Sequence, residues 1–179
     1  MLEIENTLAL LIDFQVRLLP SISNHEELEE TTAAFIKGCR ILDLPILVMQ
    51  QYTKGLGETT EKLKAALGAF EPIEKLCFSC CPNPEFSEKL LDAGRKNIIV
   101  SGIEAHVCVQ QTVLDLLAEG YCVYVLADCI GSRKDNDYRF SLERMRQAGA
   151  VITTMESVLF ELLGAADHPK RKEISNLIK

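Results

Sequence analysis

Positive charge is what this sequence has too little of. Its 19 Lys and Arg stand against 26 Asp and Glu, a net charge of −7, and no stripe of Lys and Arg interleaved with aromatic residues appears. That balance opposes polyanions and excludes nucleic acid as a main partner. The run Lys170-Arg171-Lys172 reads as the solvated face of a C-terminal helix rather than a basic patch. Long hydrophobic runs are missing too: residues 8–12 are far too few to span a bilayer, and Met1-Leu2-Glu3-Ile4-Glu5 carries acids where a signal peptide carries bases. No membrane association and a cytoplasmic location are therefore expected. No Pro/Gly/Ser-rich or charged linker, internal repeat or low-complexity stretch divides the 179 residues, which read as one domain over 1–179, with a core at 7–163 and a helical tail at 164–179. No glycine lies in Asp13-Phe14-Gln15-Val16-Arg17 after the first apolar run, so the phosphate loop of a nicotinamide-dependent oxidoreductase is absent.

What is present is the composition of a globular protein with a large core, 47% hydrophobic and 25% charged. Short apolar runs at residues 7–12, 45–50, 73–78, 97–102, 121–127 and 151–154 alternate with segments of helical period. This pattern predicts an α/β fold: three layers, doubly wound, with a six-stranded parallel sheet covered by helices on both faces. Helix signals fall between the runs. Ser23 with Glu26 makes a capping-box pattern for a helix toward Asp43, Asn83-Pro84 opens one that Gly94 stops, and further helices are expected over 107–119, 137–148 and 156–163. The seven cysteines are an odd number, and Cys39, Cys77, Cys108, Cys122 and Cys129 lie in apolar segments. Buried thiols, not a disulfide framework, are the expectation.

A doubly wound sheet places its ligand outside the carboxyl ends of the strands, where strand order reverses. The first strand delivers Asp13 there, the third the region from Lys75 to Ser79, and the fourth the turn from Gly102 to Cys108. Cys108 opens a helix, where unpaired N–H groups and the macrodipole favour an anion and lower a thiol pKa. Cysteine is equally a common small core residue. Asp13 closes a wholly apolar strand, where a carboxylate is costly without a partner, yet a loop-capping Asp reads the same way. Glu74-Lys75 in isolation looks like an exposed charge pair. Taken singly, each residue has a structural reading as good as its chemical one.

Together they carry a resemblance. The segments Leu10-Leu11-Ile12-Asp13-Phe14-Gln15, Lys75 ahead of Phe78-Ser79, and Gly102-Ile103-Glu104-Ala105-His106-Val107-Cys108-Val109-Gln110-Gln111-Thr112 resemble the isochorismatase-like cysteine hydrolases. So do Asp128-Cys129-Ile130-Gly131-Ser132-Arg133 and Arg144-Met145-Arg146-Gln147-Ala148-Gly149-Ala150-Val151-Ile152-Thr153 with Glu156-Ser157. The resemblance covers about residues 7–163 and implies a triad of Asp13, Lys75 and Cys108. In it the Asp moves the thiol proton, the Lys lowers the neighbouring pKa values, and the Cys attacks an amide-like carbonyl to form a thioester. It also implies a cis peptide ahead of Glu104, turning the backbone N–H groups of Glu104 and Cys108 toward an oxyanion. Phe14, Leu18, Gln51, Tyr52, Leu56, Phe78 and His106 are the expected pocket side chains for a small-molecule substrate, and a homo-oligomer is expected because members of the family commonly assemble.

Departures from the family narrow the activity. Nicotinamidases in it carry an Asp and His cluster after the second strand, whereas this chain reads Met49-Gln50-Gln51-Tyr52-Thr53-Lys54-Gly55-Leu56-Gly57. It resembles the metal-free branch, so neither metal nor cofactor is expected. True isochorismatases act on a vinyl ether and need no thiol, so Cys108 argues against that activity. Two further readings stay open: a thiol redox protein pairing Cys108 with Cys80 or Cys81, and an idle member with an assembly role. Within Cys77-Phe78-Ser79-Cys80-Cys81 the Cys-x-x-Cys pair has no second cluster to complete a metal site and lacks a thioredoxin context.

Overall fold

The computed structural model of the chain describes residues 1–178. In chain order the elements are β1 (Thr7–Ile12), α1 (His25–Ile41), β2 (Ile46–Gln51), α2 (Thr53–Leu56), α3 (Glu61–Leu67), β3 (Ile73–Lys75), α4 (Pro84–Ala93), β4 (Asn97–Ile103), α5 (Gln110–Ala118), β5 (Cys122–Gly131), α6 (Asp135–Gln147), β6 (Val151–Thr153), α7 (Met155–Leu163) and α8 (Arg171–Leu177). The strands form one parallel sheet in the order β3-β2-β1-β4-β5-β6. The expected fold class is thus the observed one, and strand order reverses between β1 and β4.

Alternation along β1 explains why its run is apolar at every position. Leu8, Leu10 and Ile12 pack with Phe86, Val113 and Met145 from α4, α5 and α6 on one face. Ala9 meets Phe35, Cys39 and Leu159 on the other, where Leu11 joins Ile36 and Leu63. With helices on both sides, no position of the strand is left for water. Each Leu or Ile so buried contributes roughly 1.5–3 kcal/mol.

Local signals worked where nothing competed for the side chain. Asn83 caps α4, its Oδ1 accepting from the Phe86 N–H at 3.1 Å, and Gly94 closes it at φ 62°. The capping box expected at Ser23 does not form. Ser23 is drawn to the connection after β5 instead, giving its N–H to Ser132 O at 3.1 Å and its hydroxyl to Arg133 O at 3.2 Å. Asn24 then precedes α1 in a left-handed conformation. β3 ends at Lys75 rather than at residue 78, because the next residues curl to aim the carbonyls of Cys77 and Phe78 at the lysine. β5 outruns its expected end by four residues. Its register against β4 jumps from Val100↔Val125 to Gly102↔Ile130, so the intervening residues bulge. Within that bulge Asp128 accepts the Met155 N–H at the start of α7. Two helices, α2 and α3, had no sequence expectation, while α8 falls within the helical tail expected over 164–179 and seats Ile174 fully in the core. Among the cysteines expected to be buried, Cys39, Cys108 and Cys129 are; Cys77 is half-buried and Cys122 exposed.

Gly102 marks the tightest approach at the reversal point. A Cβ there would stand 2.7 Å from the Ile12 Cβ and 2.9 Å from the Ile12 carbonyl oxygen. Gly102→Ala is therefore expected to lose about 1–3 kcal/mol of stability by overpacking, read as a lower urea midpoint. An unchanged midpoint would mean that β1 and β4 can separate freely there.

Candidate active site

Three strands turn away from the sheet on residues that carry side chains yet take left-handed backbone: Asp13 (φ 62°) after β1, Tyr52 (φ 40°) after β2 and Glu104 (φ 56°) after β4. Each such conformation costs on the order of 1 kcal/mol or more and persists only where surrounding structure enforces it. All three lie at the carboxyl edge, beside the reversal point. The cis peptide expected ahead of Glu104 is not present; no cis peptide occurs among the described residues, and the left-handed Glu104 makes the turn.

Asp13 and Lys75, both with side chains fully shielded from solvent, meet at 2.8 Å. The ammonium has three protons and three close acceptors: Asp13 Oδ2 at 2.8 Å, Gln51 Oε1 at 2.7 Å and Phe78 O at 3.0 Å. Lys75 is thereby fixed as a charge with no proton left over. Burial pushes the Asp13 carboxyl above its ordinary range, and the Lys75 charge recovers only part of that shift. For Lys75, burial acts downward, but the facing Asp13, Cys108 and Cys80 together carry it upward. Asp13 Oδ1 is buried with no hydrogen-bond partner.

Cys108 lies in a wide π-type turn (Ala105–Val109) that leads into α5, and is 5% exposed. Turns of this kind gather at functional sites. The expectation of a depressed thiol pKa is overturned. Burial and then the Asp13 charge outweigh Lys75 and push the thiol up to about 12. Burial likewise raises Cys80 and takes Cys81 to about 12. Raising these thiols disfavours the thiolate, the form that peroxide chemistry requires, which weighs against the redox reading.

The other expected residues divide. Gln51 is committed to the protein, accepting from Lys75 and donating to Leu76 O at 2.9 Å. Tyr52 and Phe78 are exposed near the Lys75 strand end, and Leu56 is half-buried. Phe14 is 2% exposed and packs in the core with Leu18 against its cluster, so it is a core residue first. His106 turns elsewhere: its Nδ1 is 3.0 Å from Ser132 Oγ and 3.5 Å from Glu104 Oε2, and its Nε2 is 3.8 Å from Asp137. The buried Glu104 side chain pairs through Oε1 with Arg133 at 2.7 Å.

Sequence reasoning missed Gln15. Wholly buried, it gives its amide N–H protons to Gln51 O and Gly57 O and accepts the Gln51 N–H at 2.7 Å, stapling the segment after β2. Its only sequence signal was a polar residue two places beyond Asp13. Among the described residues no group of three or more His, Cys, Asp or Glu is placed to hold a metal ion. Gln50, in the stretch where a metal cluster would stand, is bound to Thr59 instead. A cavity of about 220 Å³ opens between the start of α1 and the end of β5, lined by Ser23, Glu27, Asp128, Asp135 and Tyr138, and includes none of Asp13, Lys75 or Cys108.

The isochorismatase domain matches residues 7–157. Isochorismatase domain-containing protein 1 of Salmo salar is 40% identical over 168 residues, 93% of this chain but 59% of its own length, so this chain spans under two thirds of that relative. Isochorismatase domain-containing protein 2A of Mus musculus is 39% identical, with 98% of this chain and 84% of that protein covered. Among solved structures, the MAR1 ribonuclease of Caenorhabditis elegans superposes with a TM-score of 0.93 at 40% identity, covering 99% of this chain and 91% of that one. The YcaC gene product of Escherichia coli, described as an octameric hydrolase of unknown specificity, does so with a TM-score of 0.89 at 25% identity, covering 98% and 86%.

The buried pair yields a double-mutant test. Lys75→Met and Asp13→Asn each strand the opposite buried charge and are expected to cost about 3–5 kcal/mol, while the double variant loses far less than the sum. Additive losses in urea unfolding would mean that the two charges are not coupled. The same variants should move the Cys108 thiol in opposite directions: Asp13→Asn lowers the pH midpoint of its alkylation and Lys75→Met raises it.

Proposed function

The chain belongs to the isochorismatase domain family, and from that premise we propose that it is a metal-independent cysteine hydrolase cleaving the C–N bond of a small amide. One observation carries the reading: a fully buried Asp13–Lys75 pair stands beside a nearly buried Cys108, whose thiol burial and Asp13 raise and Lys75 lowers. A thiol near 12 gives no useful standing thiolate at neutral pH, so attack has to be coupled to proton removal. Asp13, raised by burial and with Oδ1 unpartnered, suits that transfer.

In this mechanism Asp13 takes the thiol proton as Cys108 Sγ bonds to the substrate carbonyl carbon. The donors assigned to the developing oxyanion are the backbone N–H groups of Glu104 and Cys108, the former presented by the left-handed Glu104 turn and not by a cis peptide. Collapse of the tetrahedral adduct breaks the C–N bond, and Asp13 returns its proton to the departing nitrogen. Water, deprotonated by Asp13, then cleaves the thioester and frees the thiol. Lys75 moves no proton, since its three are held; it keeps Asp13 in place and offsets part of the negative charge. Substrate contacts fall to the rim side chains Tyr52, Leu56 and Phe78.

The ribonuclease name of the C. elegans relative raises RNA cleavage as a second reading. A net charge of −7 and a nearly buried nucleophile oppose a polyanionic substrate. The octameric E. coli relative supports a homo-oligomer, and exposed Leu76, Phe78 and Leu91 offer apolar surface for one. No helix among the described residues is long and apolar enough to cross a membrane.

A panel of small primary and secondary amides, assayed by release of the amine, tests the proposal. Turnover should vanish in Cys108→Ala, with an acyl adduct on Cys108 captured by mass spectrometry in wild type. The acid limb of kcat/KM should lie above the ordinary carboxylate pKa of 3.8, because activity is lost as the raised Asp13 group protonates. Turnover that survives Cys108→Ala would refute the nucleophile, and Cys108-dependent cleavage of a labelled RNA without amide turnover would establish the second reading.

A further inference from the structure

We propose that Thr112 and Asp115, one turn apart on α5, are positioning residues that hold the Lys75 cradle in register with Cys108; this rests on the reading of Cys108 as nucleophile. The cradle is the segment after β3, which gives its Phe78 carbonyl to the Lys75 ammonium. The nucleophile sits just ahead of α5. In the chain these two pieces are separated by all of α4 and β4, so their spacing depends on contacts across the gap.

Two hydroxyl groups make that connection. Thr112, fully buried, accepts the Cys80 N–H at 3.0 Å and donates to the Cys108 carbonyl at 2.7 Å. Ser79 donates to Asp115 Oδ2 at 2.6 Å and accepts the Cys81 N–H at 3.3 Å. A buried Thr bonding back to the carbonyl four residues earlier is ordinary helix behaviour. The bond that Thr112 accepts from Cys80, and the adjacent Ser79–Asp115 bond, are not explained by that. They close a path from Lys75 through Phe78, Ser79 and Cys80 onto α5 and back to Cys108. Lys75 lowers the thiol pKa against burial and Asp13, and its distance from the sulfur is what this path fixes.

The test uses the full chain and compares Thr112→Val, which keeps the shape but removes the hydroxyl, with Thr112→Ser, which keeps the hydroxyl. Asp115→Ala is compared with Asp115→Asn, which still accepts from Ser79. Three quantities are read: the pH midpoint of Cys108 alkylation by iodoacetamide, mapped by mass; kcat and KM on an amide that wild type turns over; and the thermal midpoint. Thr112→Val should raise the alkylation midpoint and lower kcat about tenfold or more with little change in KM, and Thr112→Ser should restore both. Asp115→Ala should move them in the same direction and Asp115→Asn should recover. If Thr112→Val and Asp115→Ala lower only the thermal midpoint, the residues are structural and the proposal is overturned, while Cys108-dependent turnover would leave the hydrolase reading intact. If wild type turns over no amide yet the alkylation midpoint still moves, the coupling stands and the hydrolase reading falls. Should Thr112→Val not fold, the Asp115 pair decides by the same readings.

Discussion

Two opposite charges buried against each other are the constraint around which this protein is arranged. Lys75 leaves the outermost strand, β3, and its long stem passes the end of β2 to reach Asp13 just after β1, a residue 62 positions away in sequence. Desolvation of each ion costs several kcal/mol, which mutual attraction offsets only when the remaining donors and acceptors are met. Much of the local structure can be understood as meeting them. Gln51, opposite Lys75 on β2, turns its amide oxygen to the ammonium. The chain after β3 abandons the sheet so that carbonyls can face it. Gln15 holds the segment that begins at Gln51, so the amide cannot drift away.

The sheet was legible from residues alone because its strands are covered on both faces. Each strand is then a continuous apolar run, and each run sits within a few residues of where it was expected. Helix boundaries were legible where a cap had no competing use, as at Asn83 and Gly94, and illegible at Ser23, whose hydroxyl is taken by a residue more than a hundred positions away. The order of Asp13, Lys75 and the turn to Cys108 could be placed at strand ends, since topology follows from alternation of strand and helix. Their shared burial could not. Glu74-Lys75 looks like a surface pair, and nothing in its neighbours says that Glu74 stays outside while Lys75 is 1% exposed. That depends on a two-residue alternation in a three-residue strand.

The thiol shows the limit of positional rules. Cys108 stands where a helix begins, and that position alone predicts a depressed pKa. Three-dimensional neighbours push the other way, burial first and then the Asp13 carboxylate. The left-handed Asp13, Tyr52 and Glu104 belong to the same class of fact: each side chain is needed at a bend that glycine would make more cheaply, and only tertiary packing reveals it.

The raised pKa of the Cys108 thiol also bears on covalent pharmacology. Haloacetamides and maleimides select cysteines by the fraction already ionised, and at neutral pH this sulfur offers almost none. The exposed Cys122 is the more accessible target for such reagents. Under the mechanism proposed above, a warhead with a polarised carbonyl or nitrile, shaped to sit over the sulfur and accept it while the proton passes to the neighbouring carboxylate, would follow the same path as the substrate. Selectivity for this protein would then come from recognition before bonding rather than from the reactivity of the electrophile.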